Sequence, residues 1–420
     1  MYLVVINVPF RGCGPGAAEV ASDWGRSLEL LRDSFHGRFG RIVVAAPELP
    51  PGDGPIAAQE PYRLEAERDD IAFVRLGDKR WRARDFWWHR RAIRARCRHL
   101  ARQAEVVHAG IGNLWQPYAY YGFRAGLDAG ATTVFVQDTD IVQQIHDLTR
   151  GQSLAARCRA RAYCTLYERV VRRAVQAADL ALLKGSALHA RYGRHARNAR
   201  DFYDTSYSAA DIISADEFGR KAAAVATGGA TRLLALGRLV ARKGLDHTLR
   251  ALAGARAAGA AATLDIIGDG DERPALERLA AELGLDQIVR FLGMLPYGAE
   301  LIRDIGGYHA LVFTPLAEDT PRSLFDALAG GCALICYDLS YTRQVLDDCG
   351  HGVAVAMGDH RGLAAQLLAV DRDRARLVAW MQAAHAAAPR HTAEAWYERR
   401  AEWTIGAAAR GNVGAARRDV

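Results

Sequence analysis

The 420-residue sequence has no apolar run near the roughly 20 residues that a membrane-crossing helix needs. Its opening, MYLVVINVPF, lacks the basic start and cleavage site of a secretory leader and reads as a first strand. A cytoplasmic chain is the expectation. The seven cysteines (Cys13, Cys97, Cys158, Cys164, Cys332, Cys336, Cys349) are odd in number and form no CxxC pair. That disfavours disulfides and thiolate metal sites and leaves reduced, mostly buried thiols. Neither glycine-rich turn completes G-x-G-x-x-G: after Gly12 and Gly14 the third position is Ala17, and after Gly268 and Gly270 it is Arg273. A nicotinamide cofactor is disfavoured, and no cofactor is expected. There is no internal repeat.

What is present is ordinary for a globular protein, with 50% hydrophobic and 25% charged residues, so wholesale disorder is excluded. The length suits two cores. A formal charge of +7 points to acidic ligands or an anionic surface without saying which.

Short β-branched runs alternate with longer helical stretches, the signature of an α/β chain built on parallel sheets. LVVINV, RIVVAA, IAFVRL, AEVVHA, TTVFVQ and ADLALL are the strands of the first half. The small-residue stretch 219–232 reads as a linker, after which RLLALG, TLDIIG, IVRFLG, ALVFTP, CALICYD and GVAVAM restart the alternation. This gives domains at 1–218 and 219–385, a final helix at 386–405 with Thr392 as a cap, and a loose basic tail at 406–420.

Segment 79–103 departs from the background, with ten Lys or Arg against the single acid Asp85 and with Trp81, Phe86, Trp87 and Trp88 interleaved. It reads as a solvated basic helix packed on its aromatics, or as a surface for anionic lipid headgroups or a phosphorylated acceptor. Nucleic acid is not expected, because no nucleic-acid module surrounds it.

Two stretches carry candidate chemistry. In LALGRLVARKGLDHTLRAL, Arg238 follows a strand and Lys243 precedes a helix, cations suited to a diphosphate at the carboxyl end of a parallel sheet. In TPLAEDTPRSLFDALAGG, Thr320 reads as a helix cap and Pro321 as the first helical residue, with the free amides around Arg322, Ser323 and Leu324 forming an anion site. Glu318 would then accept hydrogen bonds from hydroxyls attached to that anion, and Asp326 from a ribose. The plainer readings are a solvated loop acid for Glu318 and an i,i+4 pair with Arg322 for Asp326. Gly12, Gly14 and Gly16 read as a glycine turn opening a helix, with bare amides able to approach a phosphate.

Together with LDIIGDGDERPALERLAAELGL, VRFLGML and PLAEDTPRSLFDALAGGCALICYD, these stretches resemble the retaining GT-B glycosyltransferases of family 4 over about 160 residues, and the first half matches in outline. The resemblance implies two doubly wound Rossmann-like domains facing a central cleft, a final helix crossing back to the first, and transfer of a sugar from a nucleoside diphosphate sugar to an acceptor hydroxyl, without a metal. By position, Arg238 and Lys243 would hold the diphosphate, approached by Gly12, Gly14 and Gly268. Glu318 would meet the sugar, and Asp319, Thr320, Pro321, Arg322, Ser323 and Leu324 would lie on sugar and phosphate. Met294 and Leu295 would bracket the base, and Asp326 would meet the ribose in place of the second acid of the E-x7-E pattern, one methylene shorter. Where the family often has a His-Asp or His-Gly pair, this chain has Gln137 and Asp138. Asp138 is the candidate base, His108 a further acceptor-side candidate, and DTD at 138–140 a poor metal motif. The acceptor would be a glycan, a lipid-linked or a small molecule, reached at the inner face of a membrane through 79–103. The alternative is a non-catalytic GT-B subunit that activates a partner glycosyltransferase.

Overall fold

The computed structural model describes residues 1–50, 52, 61–149 and 151–416; residues 417–420 of the tail read above as loose lie outside them. The chain forms two compact units, Met1–Phe202 with Trp396–Val420, and Tyr203–Ala395.

The first unit holds a seven-stranded sheet. Its order is Ala199–Phe202, Leu180–Lys184, Thr132–Gln137, Val106–Ala109, Tyr2–Val5, Ile42–Glu48 and Ile71–Asp78, every neighbouring pair parallel. A strand covered by helices on both faces must be apolar throughout rather than alternating. Leu3–Val5, Ile42–Ala46 and Leu180–Leu183 are accordingly buried without a break. The opening strand stops at Val5, short of the sequence expectation, because the chain turns into a small antiparallel sheet of Arg11–Gly12, Ala17–Ala21 and Pro61–Glu65.

The second unit holds a six-stranded parallel sheet in the order Val289–Gly293, Ala262–Ile267, Thr231–Leu236, Ala310–Phe313, Ala333–Tyr337 and Gly352–Val355. Its core gathers Leu233, Leu249, Leu264, Ile266, Val312 and Ile335. The strand order reverses between Thr231–Leu236 and Ala310–Phe313, the switch point beyond which open α/β sheets bind ligands at their carboxyl ends.

Most of the stretch read as a linker is helix Ala215–Ala226, capped by Ser214, whose Oγ accepts from the Glu217 amide at 3.3 Å. The alanines that suggested a loose connection are the best helix formers. Phe218 anchors this helix by stacking on His385 at 4.5 Å. Much of the expected tail is likewise helical, since the last helix runs from Ala393 to Ala416 with Thr392 Oγ1 accepting from the Ala395 amide. Its Arg400 guanidinium lies 4.8 Å over the Phe202 ring of the first unit. All seven cysteines are free thiols, five of them buried.

Candidate functional site

Three strand exits in the second unit are laced by backbone hydrogen bonds: Gly237 N–H to Ile267 O at 3.0 Å, Gly268 N–H to Gly293 O at 2.8 Å and Leu239 N–H to Asp269 O at 2.9 Å. At Gly268 this weave leaves no room for a side chain. A Cβ on Gly268, whose φ is +137°, would lie 1.9 Å from Gly237 O. Gly268→Ala is therefore expected to destabilise the unit by about 2–3 kcal/mol through a strained backbone and a forced shift of the Gly237 loop. A urea-unfolding midpoint like that of the wild type would contradict this.

Lys243 ends a 3-10 turn, Ala241–Lys243, and the chain then passes through Gly244 at φ +59°. A Cβ on Gly244 would meet Thr314 O at 2.2 Å, so the Lys243 loop presses on the exit of strand Ala310–Phe313. Thr314 Oγ1 fixes it further by donating to Gly244 O at 2.9 Å. Gly237, Arg238, Lys243, Phe313 and Thr314 line a small cleft there. Arg238 is exposed.

Lys243 Nζ is not idle. It lies 2.6 Å from Asp319 Oδ2, both side chains being largely buried, and Arg242 Nη1 reaches the same oxygen at 3.0 Å. Sequence reasoning placed the Asp319 amide on sugar and phosphate and gave its side chain no role; the carboxylate holds the cations, and its Oδ1 accepts from the Thr320 amide at 3.0 Å. Asp319 ties this loop down, and the helix after it starts later than expected. It runs Ser323–Ala329, with Arg322 at its cap position and no side-chain cap, so Thr320 does not cap it and Pro321 is not its first residue. Leu324 is buried and Ser323 half-buried.

Glu318 Oε1 accepts from the Ser340 amide at 2.9 Å, at the start of helix Ser340–Cys349. Among the described residues its Oε2, which is buried, has no partner. A buried carboxylate oxygen with no donor is costly, and a ligand hydroxyl would satisfy it.

Asp326 is buried and does not use Arg322 as its partner. Its Oδ1 accepts from Tyr297 Oη at 3.0 Å, while Arg322 Nε donates to Asp204 at 3.0 Å. Burial pushes the Asp326 carboxyl up to about 7; the Tyr297 hydrogen bond and the Arg322 charge oppose the rise, and Asp211 adds to it. Because the folded value is the higher one, the stability linked to this group is full below pH about 4 and is lost as pH rises through about 7. Between pH 5 and pH 8 this costs about 2–3 kcal/mol. Asp326→Asn, which keeps an acceptor for Tyr297, is expected to remove that part of the pH dependence, read from urea midpoints at both pH values. Equal pH dependence in both proteins would overturn the assignment. Met294 is exposed and Leu295 half-buried, beside Gly293 at φ +75°.

The first-unit candidates are placed differently from one another. Gly12 and Gly14 do not open a helix: Cys13 N–H donates to Ala17 O at 3.1 Å, closing a hairpin, and the helix begins only at Ser22. A Cβ on Gly12 would come within 2.7 Å of Glu48 Oε1. His108 is buried with Nδ1 2.8 Å from the Tyr2 hydroxyl, and burial, aided by the Arg400 charge, pulls its pKa to about 3. It is a neutral ring at any working pH. Gln137 is buried and donates to Thr139 O at 2.7 Å and to Tyr167 Oη at 3.1 Å. Asp138 is exposed. Asp140 is taken by Arg191, with Nη1 at 2.8 Å, and by the Gln143 amide at 3.0 Å.

Sequence reasoning missed Tyr297, Ser340, Asp204 and the carboxylate role of Asp319. The first three lie 29, 22 and 118 positions from the residues they bind, so only the fold brings them together.

Residues 230–373 match the family model described as glycosyl transferases group 1. Over 118 residues the chain is 30% identical to the UDP-N-acetylglucosamine–peptide N-acetylglucosaminyltransferase GtfA subunit of Streptococcus gordonii, a match covering 28% of this chain and 22% of that protein. Among solved structures, Anabaena HepE in complex with UDP superposes with a TM-score of 0.66 at 15% identity, covering 97% of this chain and 100% of that one. WaaG, a glycosyltransferase involved in lipopolysaccharide biosynthesis, gives 0.61 at 13% identity, with 97% and 100% covered. Sucrose-phosphate synthase from Thermosynechococcus elongatus gives 0.63 at 14%, with 99% of each chain covered. Residues 230–373 thus resemble the glycosyl transferases group 1, in a chain with the GT-B fold of those structures.

Proposed function

We infer that the chain is a retaining glycosyltransferase that moves a sugar from a nucleoside diphosphate sugar to an acceptor hydroxyl. The observation that carries this reading is the unpartnered, buried Oε2 of Glu318, on the loop that also places Asp319 against Lys243. A hydroxyl-bearing group attached to a diphosphate would satisfy both at once. The HepE structures contain UDP and UDP-glucose, which supports a nucleotide sugar as donor.

In this reading Arg238 and Lys243 bind the diphosphate and take up the charge that grows on it as the bond to the sugar breaks. No metal is invoked. Glu318 orients the sugar through its hydroxyls while the Ser340 amide fixes the carboxylate. Tyr297 holds Asp326, so the nucleoside contact expected of Asp326 is made through that pair. Exposed Asp138 is assigned the acceptor proton. Acceptor binding belongs to the first unit.

Purified protein is expected to transfer or hydrolyse the sugar of at least one nucleoside diphosphate donor, and to lose this with Glu318→Ala. The binding of Asp326 to Tyr297 favours a second reading, a GT-B subunit that supports a partner transferase. Donor binding without turnover would select it, and no binding of any donor would remove the enzyme reading.

A further inference from the structure

We propose that the carboxyl edge of the first unit's parallel sheet docks on an anionic lipid bilayer. Among the described residues of this unit, the large apolar side chains left exposed are concentrated where strands exit. Trp87 and Trp88 occupy the first turns of helix Ala83–Ala101, which follows strand Ile71–Asp78. Trp115 follows strand Val106–Ala109, and Val8 follows Tyr2–Val5. Leu148 and Leu154 lie in the connection after strand Thr132–Gln137, and Leu166, in mid-helix, is the exception. Since these strands are parallel, their exits share one edge. Trp88 is 80% exposed, Trp115 62% and Leu154 75%, far beyond what packing requires of such side chains.

Helix Leu154–Ala177 projects past that edge. Its 24 residues span about 36 Å, whereas the six-residue strand Thr132–Gln137 spans about 20 Å. Strand Leu180–Lys184 begins just after the helix and pins its far end, so the excess falls at the start. There Leu154, Ala155, Arg157, Cys158 and Arg159 are all exposed.

Positive charge accompanies the apolar groups. On helix Ala83–Ala101, Phe86 faces the core against Tyr118, with ring centroids 4.8 Å apart. Trp88 points the opposite way, and Arg84 and Arg91 share its face at i−4 and i+3. Arg90 donates to Trp87 O at 2.8 Å and holds its guanidinium 5.6 Å from the Trp87 ring. Residues 154–173 add six arginines against one acid, Glu168.

Tryptophan rings beside arginine suit the headgroup layer of a bilayer, where rings settle at the wet-apolar boundary and guanidinium groups meet lipid phosphates. Nucleic acid would use the arginines and rings but leave Leu148 and Leu154 bare in water. A second copy of the chain would bring like charge against like. The bilayer alone uses both sets. The proposal stands apart from the transferase reading and deepens it in one respect: an acceptor meeting this edge would be lipid-borne.

The test uses full-length protein floated with phosphatidylcholine vesicles, with and without phosphatidylglycerol, at about 0.1 M salt. Binding to the anionic vesicles is expected to exceed that to neutral ones by about tenfold or more, with a blue shift of tryptophan emission. Two variants, Trp88→Ser with Arg91→Glu and Leu154→Ser with Arg157→Glu, are each expected to lose about tenfold while melting like the wild type. Equal binding to both vesicle types, wild-type binding by both variants, or displacement of the vesicles by duplex DNA would overturn the proposal. Calorimetry with nucleoside diphosphates on the same preparations separates the two readings. Vesicle binding without diphosphate binding removes only the transferase, and the converse removes only the docking surface.

Discussion

Glu318→Ala is expected to lower kcat/KM for sugar transfer by about 10²- to 10³-fold, a loss of about 3–4 kcal/mol in transition-state stabilisation. The size follows from the environment of the carboxylate. One oxygen is fixed by the Ser340 amide and the other is buried and unpartnered, so a hydroxyl placed there makes a charge-assisted hydrogen bond shielded from water. Alanine removes that bond and the positioning it supplies. Glu318→Gln keeps an acceptor for Ser340 and is expected to recover folding stability while restoring little of the rate, because the charge is gone. Initial-rate kinetics with the best donor found for the wild type checks both variants. Near-wild-type kcat/KM in the alanine variant would remove Glu318 from the chemistry.

Lys243→Ala is expected to weaken binding of a nucleoside diphosphate by about 100-fold, more than loss of one surface cation would cause. Lys243 is largely buried against Asp319, so removing it takes away the diphosphate's partner and leaves Asp319 less compensated beside the incoming phosphates. The neighbouring Asp319→Asn is expected to act in the opposite direction. Asp319 occupies Lys243 and Arg242, and a diphosphate must compete for them. Neutralising it is expected to tighten diphosphate binding by about threefold to tenfold, an effect within the range of single charge pairs. In the Lys243→Ala background the same Asp319→Asn change is expected to recover more than it gains in the wild type, because the acid there faces the phosphates without its lysine. Calorimetry on the four proteins closes the cycle, and additive effects would show that the two side chains do not share the ligand.

Much of the architecture was legible because parallel strands covered on both faces must be apolar, and runs such as LVV, IVVAA and ALICY have no other good explanation. Arg238, Lys243 and Glu318 were legible as members of strand-exit loops. The glycine turn at 12–16 was not, since G-x-G-x-G reads the same whether a hairpin or a helix follows, and what decides is the pairing of Ala17–Ala21 with Pro61–Glu65, some 44 positions away. The alanine-rich 219–226 misled in the other direction, because small residues serve linkers and helices alike until the buried Phe218 and Val225 settle the matter. The helix starts at Ser323 instead of Pro321, and the loop before it is tied by the Asp319–Lys243 ion pair, a contact across 76 positions of chain. The same holds for Asp326, whose i,i+4 neighbour Arg322 is drawn off by Asp204 while Tyr297 arrives from another strand exit.

The most direct test of the donor site is a calorimetric comparison of nucleoside diphosphates with their sugars, on the wild type and on Glu318→Ala. The account predicts that at least one diphosphate binds both proteins alike, through Arg238 and Lys243, and that the attached sugar adds affinity in the wild type only. An increment from the sugar that survives in Glu318→Ala, or no diphosphate binding to the wild type at all, would contradict it.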